Sequence, residues 1–254
     1  MSRRSDAAQS APRAPRRAGA LVAFAILLTV AFAGFMALGV WQVQRMAWKH
    51  DLIARVDARV HAQPVPAPAR AQWPAISDAG DAYRRVSVTG RFVPGMETRT
   101  QAVTELGAGT WLLAPLQTDS GDYVLINRGF VPAGKAAADA PAGNVTVQGL
   151  LRISEPVGGF LRRNDPGQGR WYSRDVLAIA RSHGLPADRV APFFIDAERD
   201  PAFKGWPRGG MTVVKFRDSH LSYALTWFGM ALLTLAGGVY LFASERRLRH
   251  DRRQ

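Results

Sequence analysis

Two long apolar segments dominate the hydrophobic pattern of the chain. The first begins at Ala18 and includes LVAFAILLTVAFAGFMALGVWQVQ, and the second, LSYALTWFGMALLTLAGGVYLFAS, extends from Leu221 to Ser244. Neither segment contains a charged residue, and about 20 consecutive apolar residues suffice for an α-helix to cross a bilayer. The pattern therefore predicts one transmembrane helix over residues 19–43 and another over residues 220–244.

A cleaved signal peptide is the alternative interpretation of the first segment. The hydrophobic region of a signal peptide covers about 7–15 residues and ends near small residues. AFAGFMALG supplies such small residues near the end of this segment. The length of the segment and the position of Trp41 at its far end favour a retained anchor instead.

Between the two segments the pattern changes to short runs typical of β-strands. KHDLIARVDARVH (49–61) has helical spacing, and the proline-rich QPVPAPARAQWP (63–74) predicts an unpacked linker. Strands are predicted in YRRVSVTGRFV, WLLAPLQ, YVLINRGFV, NVTVQGLLRI, APFFIDAE and MTVVKF, and a helix in RDVLAIARSHG. Residues 44–219 are therefore expected to form an α+β domain that is mainly antiparallel β, or barrel-like.

The formal net charge of +13 is concentrated beside the apolar segments. Residues 1–19 contain five Arg and one Asp, and residues 245–254 contain five Arg and two acidic residues. Short positive flanks remain in the cytoplasm, which predicts that a disordered tail (1–18) and a basic tail (245–254) are cytoplasmic and the central domain is extracytoplasmic. Because topology explains more than half of the excess charge, nucleic acid is not expected as a partner.

Motifs for catalysis and metal binding are scarce. The chain has no cysteine, which excludes disulfides, zinc–thiolate sites and copper sites built on paired thiolates. It contains no nucleophile elbow, P-loop, HExxH motif or nucleotide-binding Gly-rich turn after a strand, so an enzyme is not expected. Its five histidines show no paired ligand spacing.

One histidine, His220, stands out because it lies at the start of the second apolar segment. On a helix, His220 shares a face with Tyr223, Ala224 and Trp227. An imidazole beside aromatic rings at a membrane boundary can ligate a heme iron. The alternative is an interfacial belt, because Tyr and Trp commonly anchor helices at the membrane surface.

The far end of the first segment allows the same two interpretations. Trp41 and Arg45 in WQVQR form an interfacial belt with a snorkelling arginine in one interpretation. In the other, Arg45 and nearby Lys49 or Arg217 face an acidic group such as a propionate.

A set of motifs in fixed order resembles a known family. These motifs are LGVWQVQRMAWKHDLI, YRRVSVTGRF, GTWLLAPL, YVLINRGFVP, FFIDAE and PRGGMTVVKFRDSHLSYALTWF, and the similarity extends from about Leu38 to Phe242. Together with the two apolar segments, they resemble the surfeit locus protein one family, whose members assist the biogenesis of oxidases of the cytochrome c oxidase type.

The resemblance implies a cofactor-assembly role. It implies transient binding of heme a in the lipid bilayer, with heme a synthase and oxidase subunit I as partners, and transfer of the heme to subunit I. His220 matches the family's proposed ligand to the heme iron, and Trp41, Tyr223 and Trp227 match the surrounding motif. A cofactor-free membrane scaffold that stabilises subunit I is the alternative.

The sequence departs from the family pattern immediately before His220. Asp218 and Ser219 stand where the family commonly has asparagines, although both can still cap a helix. The Arg-rich, Lys-poor composition favours a bacterial inner membrane over a mitochondrial presequence. A two-span sensor is disfavoured because the tail 245–254 is too short for an output domain.

Overall fold

The computed structural model describes residues 18–156, 158–159, 162–212 and 219–251. The chain forms two compact units. One comprises Met1–Leu52 and Phe216–Gln254, and the other comprises Ile53–Lys215. The predicted tail at residues 1–17 and most of the predicted strand MTVVKF lie outside the described residues.

Two long helices carry the apolar segments. Helix α1 is Ala18–His61 and helix α4 is His220–Asp251, which at 1.5 Å per residue makes them about 66 Å and 48 Å long. Within the most apolar 18 residues of each helix, none of α1 and 11% of α4 is buried inside the protein. Both helices are therefore candidate membrane spans by length and composition, and their exposure distinguishes them from core helices of a globular domain. The helix predicted over 49–61 is confirmed as the C-terminal part of α1.

Seven strands build the second unit. They are β1 (Val65–Pro66), β2 (Arg85–Phe92), β3 (Thr98–Thr104), β4 (Gly107–Thr118), β5 (Tyr123–Pro132), β6 (Val145–Ile153) and β7 (Val190–Ala197). The order in the sheet is β1-β2-β6-β7-β5-β4-β3, and an additional pairing of β2 with β4 closes five strands into a barrel-like ring. Pairing is antiparallel except between β5 and β7 and between β1 and β2. The mainly antiparallel, barrel-like prediction is thus confirmed.

Closure of the ring depends on the length of β4. Its residues 107–113 pair with β3, and Leu116–Thr118 on the same edge pair with β2. The β3–β4 hairpin consequently extends beyond the ring. A closed ring leaves its five strands few free edges, which limits unwanted strand pairing.

The ring encloses one apolar core and carries a second on its outer surface. The enclosed core comprises Val86, Val88, Leu116, Val124, Ile126, Leu151, Ala191, Phe193 and Ile195. The outer core packs helix α3 (Val176–Ser182) against the sheet through residues that include Leu125, Ile179 and Phe194. Strand β7 is buried on both faces, which explains the continuous apolar run FFI in its sequence. The short helix α2 (Asp78–Asp81) precedes β2.

Two local predictions differ from the structure. Residues 63–74 are not an unpacked linker, because β1 pairs with β2, Arg70–Ala75 forms a 3₁₀ helix, and Trp73 packs on the enclosed core. Proline-rich composition excluded a regular helix there but did not prevent packing. Strand β3 (TRTQAVT) was not predicted, because its polar residues mask the alternation typical of a strand.

Candidate functional site

Side chains of α1 and α4 meet along one face of each helix. The rings of Phe35 and Trp227 are stacked, with centroids 5.9 Å apart and 24° between their planes. One turn further along α1, a Cβ atom on Gly39 would lie 2.5 Å from the ring of Phe228, so a larger residue would have to displace that ring from the contact. Ala224, only 2% exposed, supplies a second small residue. Small residues permit such close approach between helices.

The same face ends in a polar contact that joins His220 to Gln42. The Nδ1 atom of His220, at the first residue of α4, lies 2.8 Å from Oε1 of Gln42. An amide oxygen only accepts hydrogen bonds, so Nδ1 is the donor in this contact. In the neutral form of an imidazole that is protonated at Nδ1, the ring lone pair is at Nε2. Metal-ligating histidines are commonly oriented through their other ring nitrogen in this way. The contact therefore sets the tautomer that an Nε2 ligand requires.

Sequence reasoning named the histidine but did not name Gln42 or Gly39 as site residues. The available signal for Gln42 was an amide within an otherwise apolar segment, in the motif WQVQ. The 178 residues that separate Gln42 from His220 leave their pairing to the folded chain. Gly39 gave no comparable signal, because glycine is frequent in apolar helices.

The aromatic residues predicted around His220 divide into two groups. Trp227 belongs to the interhelical contact through its stacking on Phe35. Trp41 and Tyr223 are 54% and 55% exposed, so their rings lie on the outside of the helix pair. The face of α4 that packs against α1 therefore includes Ala224 and Trp227, as predicted for the face shared with His220, but Tyr223 lies at its edge.

Arg45 lies one turn beyond Gln42 on α1. Its guanidinium carbon is 4.1 Å from the ring centroid of Trp48, a cation–π arrangement, and its side chain is exposed. The structure thus places a cation within a turn of the residue that contacts His220. Across the described ranges, no group of three or more His, Asp or Glu side chains converges as metal ligands.

A second polar cluster lies in the barrel domain around the buried carboxylate of Asp196. Its Oδ1 accepts from Asn127 Nδ2 at 2.7 Å and Arg174 Nη1 at 3.2 Å, and its Oδ2 accepts from Thr212 Oγ1 at 2.8 Å and Arg152 Nη1 at 3.2 Å. With four donors, the carboxylate is satisfied although only 6% of its side chain is exposed. The cluster ties β5, β6 and β7 together.

Glu155 extends this cluster by pairing with Arg174 through both carboxylate oxygens. Burial alone would raise the pKa of Glu155, but the hydrogen bonds and charge of Arg174 outweigh it and hold that pKa below its usual value. Burial likewise acts to lower the pKa of Arg174, and its carboxylate partners reverse the direction. Every charge in the cluster has a partner, which is the arrangement of a structural ion network.

Comparison with known proteins confirms the family that the ordered motifs resemble. The model of the SURF1 family matches residues 29–232. The human protein Surfeit locus protein 1 is 35% identical over 231 residues, which cover 82% of this chain and 74% of the human one. A SURF1-like protein of Monosiga brevicollis is 34% identical over 250 residues, or 91% of both chains, and a SURF1-like protein of Caenorhabditis elegans is 30% identical over 243 residues, covering 85% of this chain and 73% of its own. The chain therefore belongs to the SURF1 family.

Proposed function

We propose that this chain is a cytochrome c oxidase assembly factor that binds heme a and helps insert it into oxidase subunit I. Members of the SURF1 family are known generally as cytochrome oxidase assembly factors rather than as enzymes. In this proposal heme a synthase supplies the cofactor, this chain holds it transiently, and subunit I receives it.

The observation that carries the proposal is the contact between His220 and Gln42. It makes Nδ1 the donor, which in the neutral imidazole leaves the lone pair at Nε2, at the start of a helix that carries Tyr223 and Trp227 in its first turns. Bound heme a would supply an iron that the imidazole of His220 would ligate. The donor chemistry therefore fits the group, with His220 as ligand and Gln42 as its positioning residue.

The neighbouring side chains suit the rest of such a ligand. The exposed rings of Trp41, which adjoins Gln42 in α1, and Tyr223, three residues after His220 in α4, offer apolar surface, and Trp227 stacks on Phe35 between the helices. Arg45 supplies a cation suited to a propionate. Heme a carries a long apolar tail, so its release into water is unfavourable, and a carrier within the bilayer avoids that exposure.

Placement in the membrane is part of the proposal. Helices α1 and α4 would span a bacterial inner membrane, with both arginine-rich tails in the cytoplasm and the barrel domain in the periplasm. His220 would then lie where lipid meets the periplasm. Reporter fusions after residue 150 test this arrangement, because alkaline phosphatase is active only outside the cytoplasm and green fluorescent protein fluoresces inside it. A fluorescent, phosphatase-inactive fusion would contradict it.

Heme content measures the proposed function directly. Full-length protein co-expressed with heme a synthase and purified in mild detergent is expected to show a Soret band and a heme a pyridine hemochrome. His220→Ala is expected to lose this heme, while His61→Ala, which alters an exposed imidazole at the end of α1, retains it. Equal heme in wild type and His220→Ala would rule out ligation by His220.

Gln42 provides a finer test within the same experiment. Gln42→Leu removes the acceptor of the Nδ1 proton, and Gln42→Glu keeps one. We expect Leu to reduce retained heme and Glu to restore most of it. A heme-free wild-type protein that still supports oxidase assembly would favour the cofactor-free scaffold.

A further inference from the structure

A cleft of about 580 Å³ lies against the strands β3, β4 and β5. Its lining residues fall between positions 99 and 172, so none of them belongs to α1 or α4. Its walls include Arg99 and Val103 of β3, Thr110 of β4, Lys135 after β5, and Arg162 and Tyr172 from the segment that precedes α3. The cleft belongs entirely to the barrel domain. The proposed heme site does not use it.

The charge of the cleft is uniformly positive. Among the described residues that line it, Arg99, Lys135 and Arg162 are cationic and none is acidic. None of the three forms an ion pair with a described residue, in contrast to Arg152 and Arg174 in the Asp196 cluster. The side-chain contacts of Arg162 are with neutral groups: its guanidinium carbon lies 5.5 Å from the ring centroid of Tyr172, and Nη1 lies 3.4 Å from the amide oxygen of Gln101. Uncompensated cations in a cleft attract an anionic partner.

The backbone at the cleft rim offers a strand edge. Gln101 N–H donates to the carbonyl of Trp171 at 2.8 Å, so the outer edge of β3 already pairs with a neighbouring segment at that point. Backbone N–H and carbonyl groups point to the same edge of a strand at every second residue. Val103, two residues after Gln101, therefore directs its N–H and carbonyl to the outer edge of β3, past the point where Trp171 pairs. Its side chain is 86% exposed, the largest value for a large apolar residue in the described part of the chain.

We propose that this cleft docks an extended acidic segment of a partner polypeptide, added alongside β3 beyond Trp171. Its carboxylates would pair with Arg99, Lys135 and Arg162, and its backbone would hydrogen-bond to Val103. The open strand edge favours a polypeptide over a lipid headgroup, because a headgroup cannot continue a sheet.

Fluorescence anisotropy tests the proposal with the full-length protein in nonionic detergent. The probe is a fluorescein-labelled nonapeptide of alternating Glu and Val, and the matched control peptide alternates Lys and Val. We expect binding of the Glu peptide alone, weakening as salt is raised. No binding of the Glu peptide at low salt, or equal binding of both peptides, would overturn the proposal.

Variants separate the contributions of charge and backbone. Reversal of Arg99, Lys135 and Arg162 to Glu is expected to weaken binding roughly tenfold or more, whereas Arg91→Glu, an exposed reversal outside the cleft, changes it less than about twofold. Lys135→Glu alone serves if the triple variant does not fold, and it is expected to weaken binding measurably. Unchanged affinity in the cleft variants would refute the site.

The strand edge is tested at Val103. Val103→Pro removes the outward N–H and is expected to weaken binding severalfold, because proline is compatible with edge strands but cannot donate. Val103→Thr keeps the N–H and the branched shape, and should bind like wild type. Equal affinity of both variants would overturn strand addition. Wild-type binding to nanodiscs of anionic lipid without peptide binding would assign the cleft to a membrane surface instead.

Discussion

Replacement of Asp196 by alanine is expected to destabilise the barrel domain strongly. The substitution removes the common acceptor of four donors, which lie on β5, on β6, in the segment before α3 and in the segment after β7. It also leaves two largely buried guanidinium groups without one of their carboxylates. Arg152 and Arg174 keep Glu155 as a partner, but their side chains are only 19% and 13% exposed, so little water can replace the lost carboxylate. The loss of unfolding free energy therefore comes mainly from donors left without their acceptor, and not only from the contacts that Asp196 itself makes.

The structure sets the scale of the effect. Breaking a buried ion pair by removing one partner costs about 3–5 kcal/mol, and a domain of this size is stable by about 5–15 kcal/mol. The loss would therefore be at least about a fifth of the stability of the barrel domain, and nearly all of it if the domain is at the low end of that range. At about 2–4 °C per kcal/mol, the melting temperature should fall by about 6–20 °C.

Thermal unfolding of the full-length protein, followed by near-ultraviolet circular dichroism, measures this loss. Asp188→Ala is the matched control, since Asp188 accepts a 2.9 Å bond from Arg70 but its side chain is 70% exposed. An exposed pair contributes about 0–1 kcal/mol, so the control should melt near wild type. Asp196→Asn, which keeps the shape and loses the charge, should lie between the two. An Asp196→Ala protein that melts with the Asp188→Ala control would refute the reasoning.

Three further outcomes follow from individual residues. The pKa of Glu155 in the folded protein is below its usual value, so its ionised form stabilises the domain above about pH 4.5 and this contribution is lost as the pH falls. Below that pH, the unfolding free energy of Glu155→Gln should therefore vary less with pH than that of the wild type. Burial lowers the pKa of His183 below 6.5, so protonation of this imidazole favours the unfolded state. Urea unfolding between pH 7.5 and 5 should show the wild type losing more stability than His183→Gln as the pH falls. Gly39→Leu should reduce retained heme a by displacing the Phe228 ring from the contact between α1 and α4, whereas Gly34→Leu, at an open position, should not. Equal heme in both variants would count against the close approach.

Local pattern alone was enough to locate both long helices and most strands. An unbroken apolar run needs no partner to be recognised, and the alternation in β2 (Arg85–Phe92) follows from one buried and one exposed face. Strand β3 escaped this reasoning because its buried face carries Thr98 and Thr100, so burial alternates along the strand without an alternation of apolar and polar residues. The packing of Trp73 likewise depends on a surface formed by distant strands.

The family membership was also readable from motif order, because each motif is continuous in the chain. The long-range contacts were not readable in this way. Pairing of β2 with β4 closes the ring, Asp196 collects donors from four separate segments, and Gln42 reaches His220 across most of the chain. Residue type and spacing along the sequence carry the tendency to form a helix or strand, but hydrogen-bond partners are chosen only when distant segments are brought within about 3 Å.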